Sequence, residues 1–192
     1  MCGIVGCVLK DGLAAPLTHQ ALKRLEYRGY DSCGIATISN GKLYLKKDVG
    51  KIDEIHRRLN FDDMPGLTAI GHNRWATHGA PSKENAHPHL DCKGLIALVH
   101  NGVIENFAEL KAELEDRGHR YISRTDTEAI VHLVEEGLAG GESLYEAVLK
   151  AVRRLKGSYA LAIISAQEPE RIICARNESP LVIGVSEQGI YC

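Results

Sequence analysis

The order of the apolar segments constrains the fold of this chain more than any other feature of its sequence. Strand-like runs stand at both ends, beginning with CGIVGCVL at residues 2–9 and ending with four short runs in residues 158–192. Residues 106–155 lie between them and carry three stretches with apolar residues at helical spacing. Strands on both sides of a block of helices predict an α+β protein with mainly antiparallel sheets.

Two kinds of local signal refine this outline. Asn40-Gly41 separates the runs GIATIS and KLYLKK, which is the strongest short-range signal for a β-hairpin. Asn106 is placed to cap a helix, and Thr125 with Glu128 has the spacing of a capping box at the start of the next helix. We therefore expect a turn at the first site and helix starts at the other two.

Charge and cysteine content exclude several classes of protein. The chain has 23 Lys+Arg against 25 Asp+Glu, a net charge of −2, whereas a surface for nucleic acid or anionic lipid needs a basic excess. No uncharged apolar run approaches the ~20 residues that span a bilayer. The six cysteines form no C-x-x-C pair and are expected to be reduced. We predict a cytoplasmic protein without nucleic-acid or membrane partners.

Cys2 is a candidate catalytic group because of its position. A thiol reacts as the thiolate, and its ordinary pKa of about 8.5 leaves little thiolate at neutral pH without a base. If Met1 is removed, the α-amine of Cys2, with a pKa of about 7.7–8.0, can serve as that base. The alternative is a small hydrophobic residue on a buried strand, and Cys2 considered alone favours that alternative.

Several motifs in order along the chain resemble the N-terminal-nucleophile (class II) glutamine amidotransferases. The resemblance implies a four-layer αββα sandwich and one glutaminase domain over residues 2–192. Three segments narrow it to the branch of the family that supplies ammonia to fructose-6-phosphate for amino-sugar synthesis. The general motifs are MCGIVG at 1–6, HNRWATHG at 72–79 and HNG at 100–102, and the narrowing ones are LEYRGYDS at 25–32, NAHPH at 85–89 and TDTE at 125–128.

The resemblance implies a role for each matching residue. Cys2 would attack the side-chain carboxamide of L-glutamine, and the Asn101 amide and Gly102 backbone N–H would stabilise the oxyanion. Arg74 would bind the substrate α-carboxylate and Asp126 its α-ammonium. The local alternatives are a hairpin turn at Asn101-Gly102, a surface arginine, and an acid favoured by the helix dipole.

Other matching residues are expected around the pocket. Trp75, Thr77 and His78 would belong to a loop that lines or closes the glutamine site, although Trp75 is also compatible with a partly buried core aromatic. His87 is expected to support the pocket without transferring a proton. Members of this branch continue into a sugar-phosphate isomerase domain with the fructose-6-phosphate site and form homodimers. Residues 190–192 end this chain inside a strand-like run, as expected for a piece of such a protein.

A histidine-rich stretch offers a competing interpretation. Five histidines lie close to Cys92, and imidazole is the commonest metal ligand. Their spacing fits no standard zinc pattern, so we predict no metal and no cofactor, and hydrogen-bonded histidines near a polar site. The open alternatives are a glutaminase serving phosphoribosyl pyrophosphate or aspartate, a catalytically silent domain, and a His/Cys metal-binding module. The five histidines are His72, His78, His87, His89 and His100.

Overall fold

The computed structural model describes residues 2–76 and 79–192 of the chain. In this part the chain forms five α-helices and ten β-strands. The helices are α1 (Ala14–Arg24), α2 (Ile52–Leu59), α3 (Phe107–Asp116), α4 (Thr127–Ala139) and α5 (Leu144–Arg154). The strands are β1 (Gly3–Leu9), β2 (Ser32–Ser39), β3 (Lys42–Val49), β4 (Thr68–Arg74), β5 (His89–Leu90), β6 (Ile96–Ile104), β7 (Gly157–Ser165), β8 (Glu168–Asn177), β9 (Gly184–Val185) and β10 (Gly189–Tyr191).

The strands form two antiparallel sheets. The first sheet has six strands in the order β3-β2-β4-β1-β10-β9, and the second has four in the order β5-β6-β7-β8. In the first sheet β4 lies between β1 and β2, with Gly3 opposite Asn73 and Ser32 opposite Arg74. The first residues of β1 and β2 therefore meet the last residues of β4 at one end of that sheet.

The helices and sheets form four layers, with an apolar cluster between each pair of neighbouring layers. Helices α1 and α2 cover the outer face of the first sheet, with Leu22, Ile55 and Phe61 fully buried. The two sheets face each other across a layer that includes Ala36, Ala97 and Ala162. Helices α3, α4 and α5 cover the outer face of the second sheet. The αββα sandwich and the α+β class expected from the sequence are confirmed.

The Asn40-Gly41 turn and the helix start at Asn106 are confirmed, since α3 begins at Phe107. The next helix begins at Thr127 instead of following Thr125, and neither expected side-chain cap forms. Asn40 and Gly41 join β2 to β3, both at positive φ (50° and 68°). The Asn106 side chain makes no cap bond; its amide donates to the Arg154 carbonyl and its oxygen accepts from the Lys156 N–H. Glu128 accepts from the N–H groups of residues 122 and 123, so it anchors the preceding loop instead of closing a capping box.

No helix within residues 2–76 and 79–192 has the length and apolar character needed to cross a membrane.

Candidate active site

A cavity of about 290 Å³ lies where the two sheets meet. This volume is near the lower end of the roughly 300–1,000 Å³ usual for ligand sites, which favours a small ligand. All the candidate site residues within the described ranges line it, and Thr77 and His78 lie outside those ranges. The candidates brought together are Cys2, Arg74, Trp75, His87, Asn101, Gly102 and Asp126.

Cys2 lies at one end of the first sheet, and hydrogen bonds to its backbone carbonyl hold it there. It precedes β1, whose pairing with β4 places it beside the residues that follow Arg74. Its carbonyl accepts a hydrogen bond from Nε of Arg28 and another from Nδ2 of Asn101, each at 3.1 Å. The second of these bonds comes from the other sheet, so both sheets fix the position of Cys2.

The Cys2 thiol contacts the backbone of Trp75. The Trp75 N–H donates to Sγ at 3.2 Å, and Sγ lies 3.5 Å from the Trp75 carbonyl. Burial raises the pKa of the Cys2 thiol, and the Trp75 N–H only partly opposes this rise. A thiol in this environment therefore needs a base before it can act as a nucleophile.

His72 fixes the orientation of the Asn101 amide. Its Nε2 lies 2.9 Å from Oδ1 of Asn101 and 3.0 Å from the carbonyl of His100, so it is assigned as the N–H donor to both oxygens. Burial lowers the pKa of His72 to about 3, which keeps the ring neutral. Because Oδ1 accepts from His72, the Asn101 NH₂ group faces Cys2. One of its two N–H groups donates to the Cys2 carbonyl, and the other does not.

Asn101 and Gly102 lie inside β6, not in a turn. They pair with Ala160 and Tyr159 of β7. Gly102 has φ 132°, and a Cβ there would lie 2.0 Å from the Ser158 carbonyl oxygen. Only glycine fits at this position, and the local hairpin alternative for residues 101–102 is wrong.

Arg74 and Asp126 place opposite charges on the cavity wall. Arg74 ends β4, is 3% exposed, and donates from Nη2 to the Gly79 carbonyl at 3.2 Å. Asp126 immediately precedes α4 and is 4% exposed, and its Oδ2 accepts the Ile104 N–H at 2.8 Å. Its side chain does not cap α4, so this carboxylate is tied to the end of β6.

Trp75 is more exposed than a core aromatic. Its side chain is 47% exposed, and its ring meets Tyr30 edge-on with centroids 5.4 Å apart. The core alternative for Trp75 is therefore wrong, and the ring lies at the rim of the cavity.

The remaining histidines behind the cavity form a buried, hydrogen-bonded group. His87 stacks on His72 with centroids 4.1 Å apart, its Nδ1 accepts the His100 N–H at 3.3 Å, and its Nε2 lies 3.4 Å from Oγ1 of Thr127. Nε2 of His89 lies 3.0 Å from Oγ1 of Thr125. Burial holds the pKa of both His87 and His89 well below the ordinary value. His87 lines the cavity, and His89 packs behind it against His87.

Two contacts were missed by sequence reasoning. The bond from Arg28 to the Cys2 carbonyl comes from the EYRGYDS segment, to which the sequence interpretation assigned no such contact. The bond from His72 to Asn101 crosses between sheets, and the available signal was that both residues lie in matching motifs. Neither contact follows from local sequence, because each joins residues more than 25 positions apart.

Comparisons with known proteins agree on one kind of domain. Residues 72–192 match a family model described as a glutamine amidotransferase domain. The glutamine–fructose-6-phosphate aminotransferases (isomerizing) of Methanothermobacter thermautotrophicus and Pyrococcus horikoshii are 57% and 54% identical over 97% and 100% of this chain. The chain spans 32% of the length of each. The glutamine phosphoribosylpyrophosphate amidotransferase of B. subtilis, solved with ADP and GMP, superimposes with a TM-score of 0.85 and 29% identity, over all of this chain and 41% of that one.

Proposed function

Because the chain belongs to the glutamine amidotransferase family, we propose that it hydrolyses L-glutamine to glutamate and ammonia with Cys2 as the nucleophile. The observation that carries the assignment is the convergence of Cys2 with Asn101 and Gly102 in one cavity. These residues come from different sheets, and the 3.1 Å bond from the Asn101 amide to the Cys2 carbonyl joins them. A nucleophile beside fixed N–H donors is the arrangement that acyl transfer requires.

The reaction follows from the groups in the cavity. Removal of Met1 exposes the α-amine of Cys2, which takes the thiol proton. The thiolate attacks the carboxamide carbon, and the N–H groups of Asn101 and Gly102 stabilise the oxygen that becomes negative. The C–N bond breaks, the α-amine returns its proton to the departing ammonia, and a glutamyl thioester remains. Water then attacks the thioester, which releases glutamate and restores the thiol.

The two charges on the cavity wall suit a zwitterionic amino acid. Arg74 binds the α-carboxylate through a two-pronged guanidinium contact, and Asp126 binds the α-ammonium. Both side chains are almost fully buried, which holds their charged ends in place. The rim residue Trp75 lines the entrance of the site, and His87 supports its back wall. On the matching motif alone, Thr77 and His78 are also assigned to glutamine binding.

The acceptor of the ammonia is proposed from the curated relatives. Their names assign them to fructose-6-phosphate, and the chain covers about a third of their length. We infer that residues 2–192 form the glutaminase domain of a cytoplasmic homodimeric enzyme whose C-terminal isomerase domain binds fructose-6-phosphate. Phosphoribosyl pyrophosphate is the second candidate acceptor, because the B. subtilis enzyme shares the fold at 29% identity. The higher identity to the fructose-6-phosphate enzymes favours the first.

Intact mass spectrometry after treatment with diazo-oxo-norleucine tests the nucleophile. The expected product lacks Met1 and carries one label at Cys2, and the unlabelled protein releases ammonia from glutamine. Cys2→Ala should lose both the label and the hydrolysis, whereas Cys174→Ala, which removes another half-buried thiol outside the cavity, should keep them. Labelling of Cys2→Ala equal to wild type would overturn the assignment. A chain that retains Met1 and neither hydrolyses glutamine nor takes the label would be a silent domain.

A further inference from the structure

Four metal-binding side chains meet on the helical side of the second sheet, outside the cavity described above. We call them the outer cluster: Cys92, His119, His132 and Glu135. Cys92 lies in the turn after β5, His119 follows α3, and the other two are one turn apart on α4. One donor atom from each lies within 4.8 Å of the others. Three separate elements of the fold thus aim nitrogen, sulfur and oxygen donors at a common point.

The distances match the edges of a small tetrahedron. Sγ of Cys92 lies 3.7 Å from Nδ1 of His119 and 3.7 Å from Nδ1 of His132. Around a tetrahedral Zn²⁺ with ordinary bond lengths, sulfur and nitrogen ligands are about 3.6 Å apart and nitrogen and oxygen ligands about 3.4 Å apart. Oε2 of Glu135 lies 3.0 and 3.1 Å from the same two nitrogens. Movement of the carboxylate by a few tenths of an ångström completes the geometry.

Carboxylates also stand behind both rings. Nε2 of His119 lies 3.6 Å from Glu136, and Nε2 of His132 lies 3.8 Å from Glu128. Metal-bound histidines usually present their second nitrogen to such a carboxylate, which fixes the ring and strengthens the ligand. In both histidines Nδ1 faces the cluster and Nε2 faces the outer acid. A cluster in which both histidines only donated to Glu135 would not require Glu136 and Glu128 beside their other nitrogens.

We propose that the outer cluster is a structural Zn²⁺ site. Sulfur and imidazole donors favour zinc over magnesium or calcium, and four protein ligands make a closed site. The Cys92 thiolate and the Glu135 carboxylate balance the 2+ charge, and the thiol proton passes to water when the ion binds. His132 and Glu135 are buried and Cys92 is exposed, so the ion has a route from solvent.

This inference departs from the sequence prediction, which expected no metal. That prediction considered the histidine-rich stretch, but only Cys92 from that region belongs to the outer cluster. His119 and His132 lie further along the chain, and no short-range spacing joins them to Cys92. The ion would tie the turn after β5 and the loop after α3 to α4, independently of glutamine chemistry.

Metal binding by the purified 192-residue chain tests the proposal. After removal of bound metal with a chelator, titration with Zn²⁺ should show one tight site by elemental analysis. Co²⁺ should give a thiolate-to-metal charge-transfer band and the intense visible absorption of a tetrahedral ion. Blocking Cys2 with diazo-oxo-norleucine before the titration should leave both results unchanged, because that thiol lies in the other site.

Variants locate the ion. Cys92→Ser should abolish the charge-transfer band and tight binding, and Glu136→Gln should weaken binding roughly 10–100-fold. His56→Gln is the matched control, because His56 belongs to a separate group with His19 and Asp62, and it should bind metal as wild type does. Failure to bind one equivalent of Zn²⁺ overturns the proposal. Retention of the band in Cys92→Ser, or loss of metal in His56→Gln, also overturns it.

Discussion

Acid should destabilise this protein through the buried histidines behind the cavity. Burial lowers the pKa of His72 to about 3, and burial together with neighbouring positive charge holds the pKa of His87 and His89 well below 6.5. In the unfolded chain the same rings titrate near 6.5. Below that pH the unfolded state therefore binds three protons that the native state does not, and the free energy of unfolding falls as the pH falls.

The size of the effect follows from these three protons. Each contributes about 1.36 kcal/mol per pH unit well below its unfolded pKa, so three give close to 4 kcal/mol per unit. Between pH 6.0 and 5.0, where titration of the unfolded rings is incomplete at the upper end, the expected loss is about 3.7 kcal/mol. That is a large part of a typical stability of about 5–15 kcal/mol. With a urea m-value of about 2 kcal/mol/M, the unfolding midpoint should fall by about 2 M.

Urea unfolding followed by far-UV circular dichroism, in the presence of a chelator, measures this slope. Burial lowers the pKa of His132, but the carboxylates of Glu128 and Glu135 outweigh burial and raise that pKa, so this ring does not add to the loss. The lowered carboxyl pKa values of Glu128 and Glu135 act mainly below 4.5.

The matched pair of variants is His89→Gln and His56→Gln. The first should reduce the slope by a third, to about 2.4 kcal/mol for the same pH unit. The second replaces a half-buried ring on α2, outside the buried group, and is the reference for the loss of a histidine at another place in the fold. The view that these buried rings stay neutral in the native state would be refuted if the free energy of unfolding of the wild type changed with pH by the equivalent of one proton or less. Equal changes of this slope in the two variants would also refute it.

Three further changes test the site and one helix. Asn101→Ala removes an N–H donor aimed at the developing oxyanion, so glutaminase kcat should fall roughly 100–1,000-fold with a small change in KM, and an unchanged kcat would remove Asn101 from the reaction. Arg74→Lys keeps the charge but loses the two-pronged contact, so KM for glutamine should rise with little change in kcat, and a loss confined to kcat would contradict carboxylate binding. Ser143→Ala removes the acceptor for the Glu146 N–H at the start of α5, and urea unfolding should show a loss of about 1 kcal/mol with glutaminase activity unchanged.

The positions of most helices and strands could be predicted from the sequence, because burial imposes a regular pattern, whereas the four-layer order was implied only by the family resemblance. The turn at Asn40-Gly41 was predictable for a local reason, since both residues accept positive φ. Helix caps were harder to predict. Asn106 and Glu128 have side chains that suit local capping, but each bonds to a backbone group outside its own helix.

The site was predictable as a set of residues but not as a geometry. The motifs named Cys2, Asn101 and Arg74, and the structure places them around one cavity. The ring that orients the Asn101 amide and the guanidinium that holds the Cys2 carbonyl depend on pairing between distant strands. The outer cluster is a stronger example, because its members are spread over residues 92–135 and meet only after three elements have packed.

The packing of the two sheets against each other has a consequence for tolerance to mutation. The proposed nucleophile Cys2 precedes a strand of the first sheet and Asn101 lies in the second, and alanines at positions 36, 97 and 162 belong to the apolar layer between the two sheets. The separation of the two sheets therefore sets the distance between the Cys2 thiol and the Asn101 amide. A larger side chain at one of these positions would push the sheets apart and slow the proposed glutamine hydrolysis, although no residue in the cavity had changed. Selection for turnover thus reaches residues in the interior that no substrate ever touches.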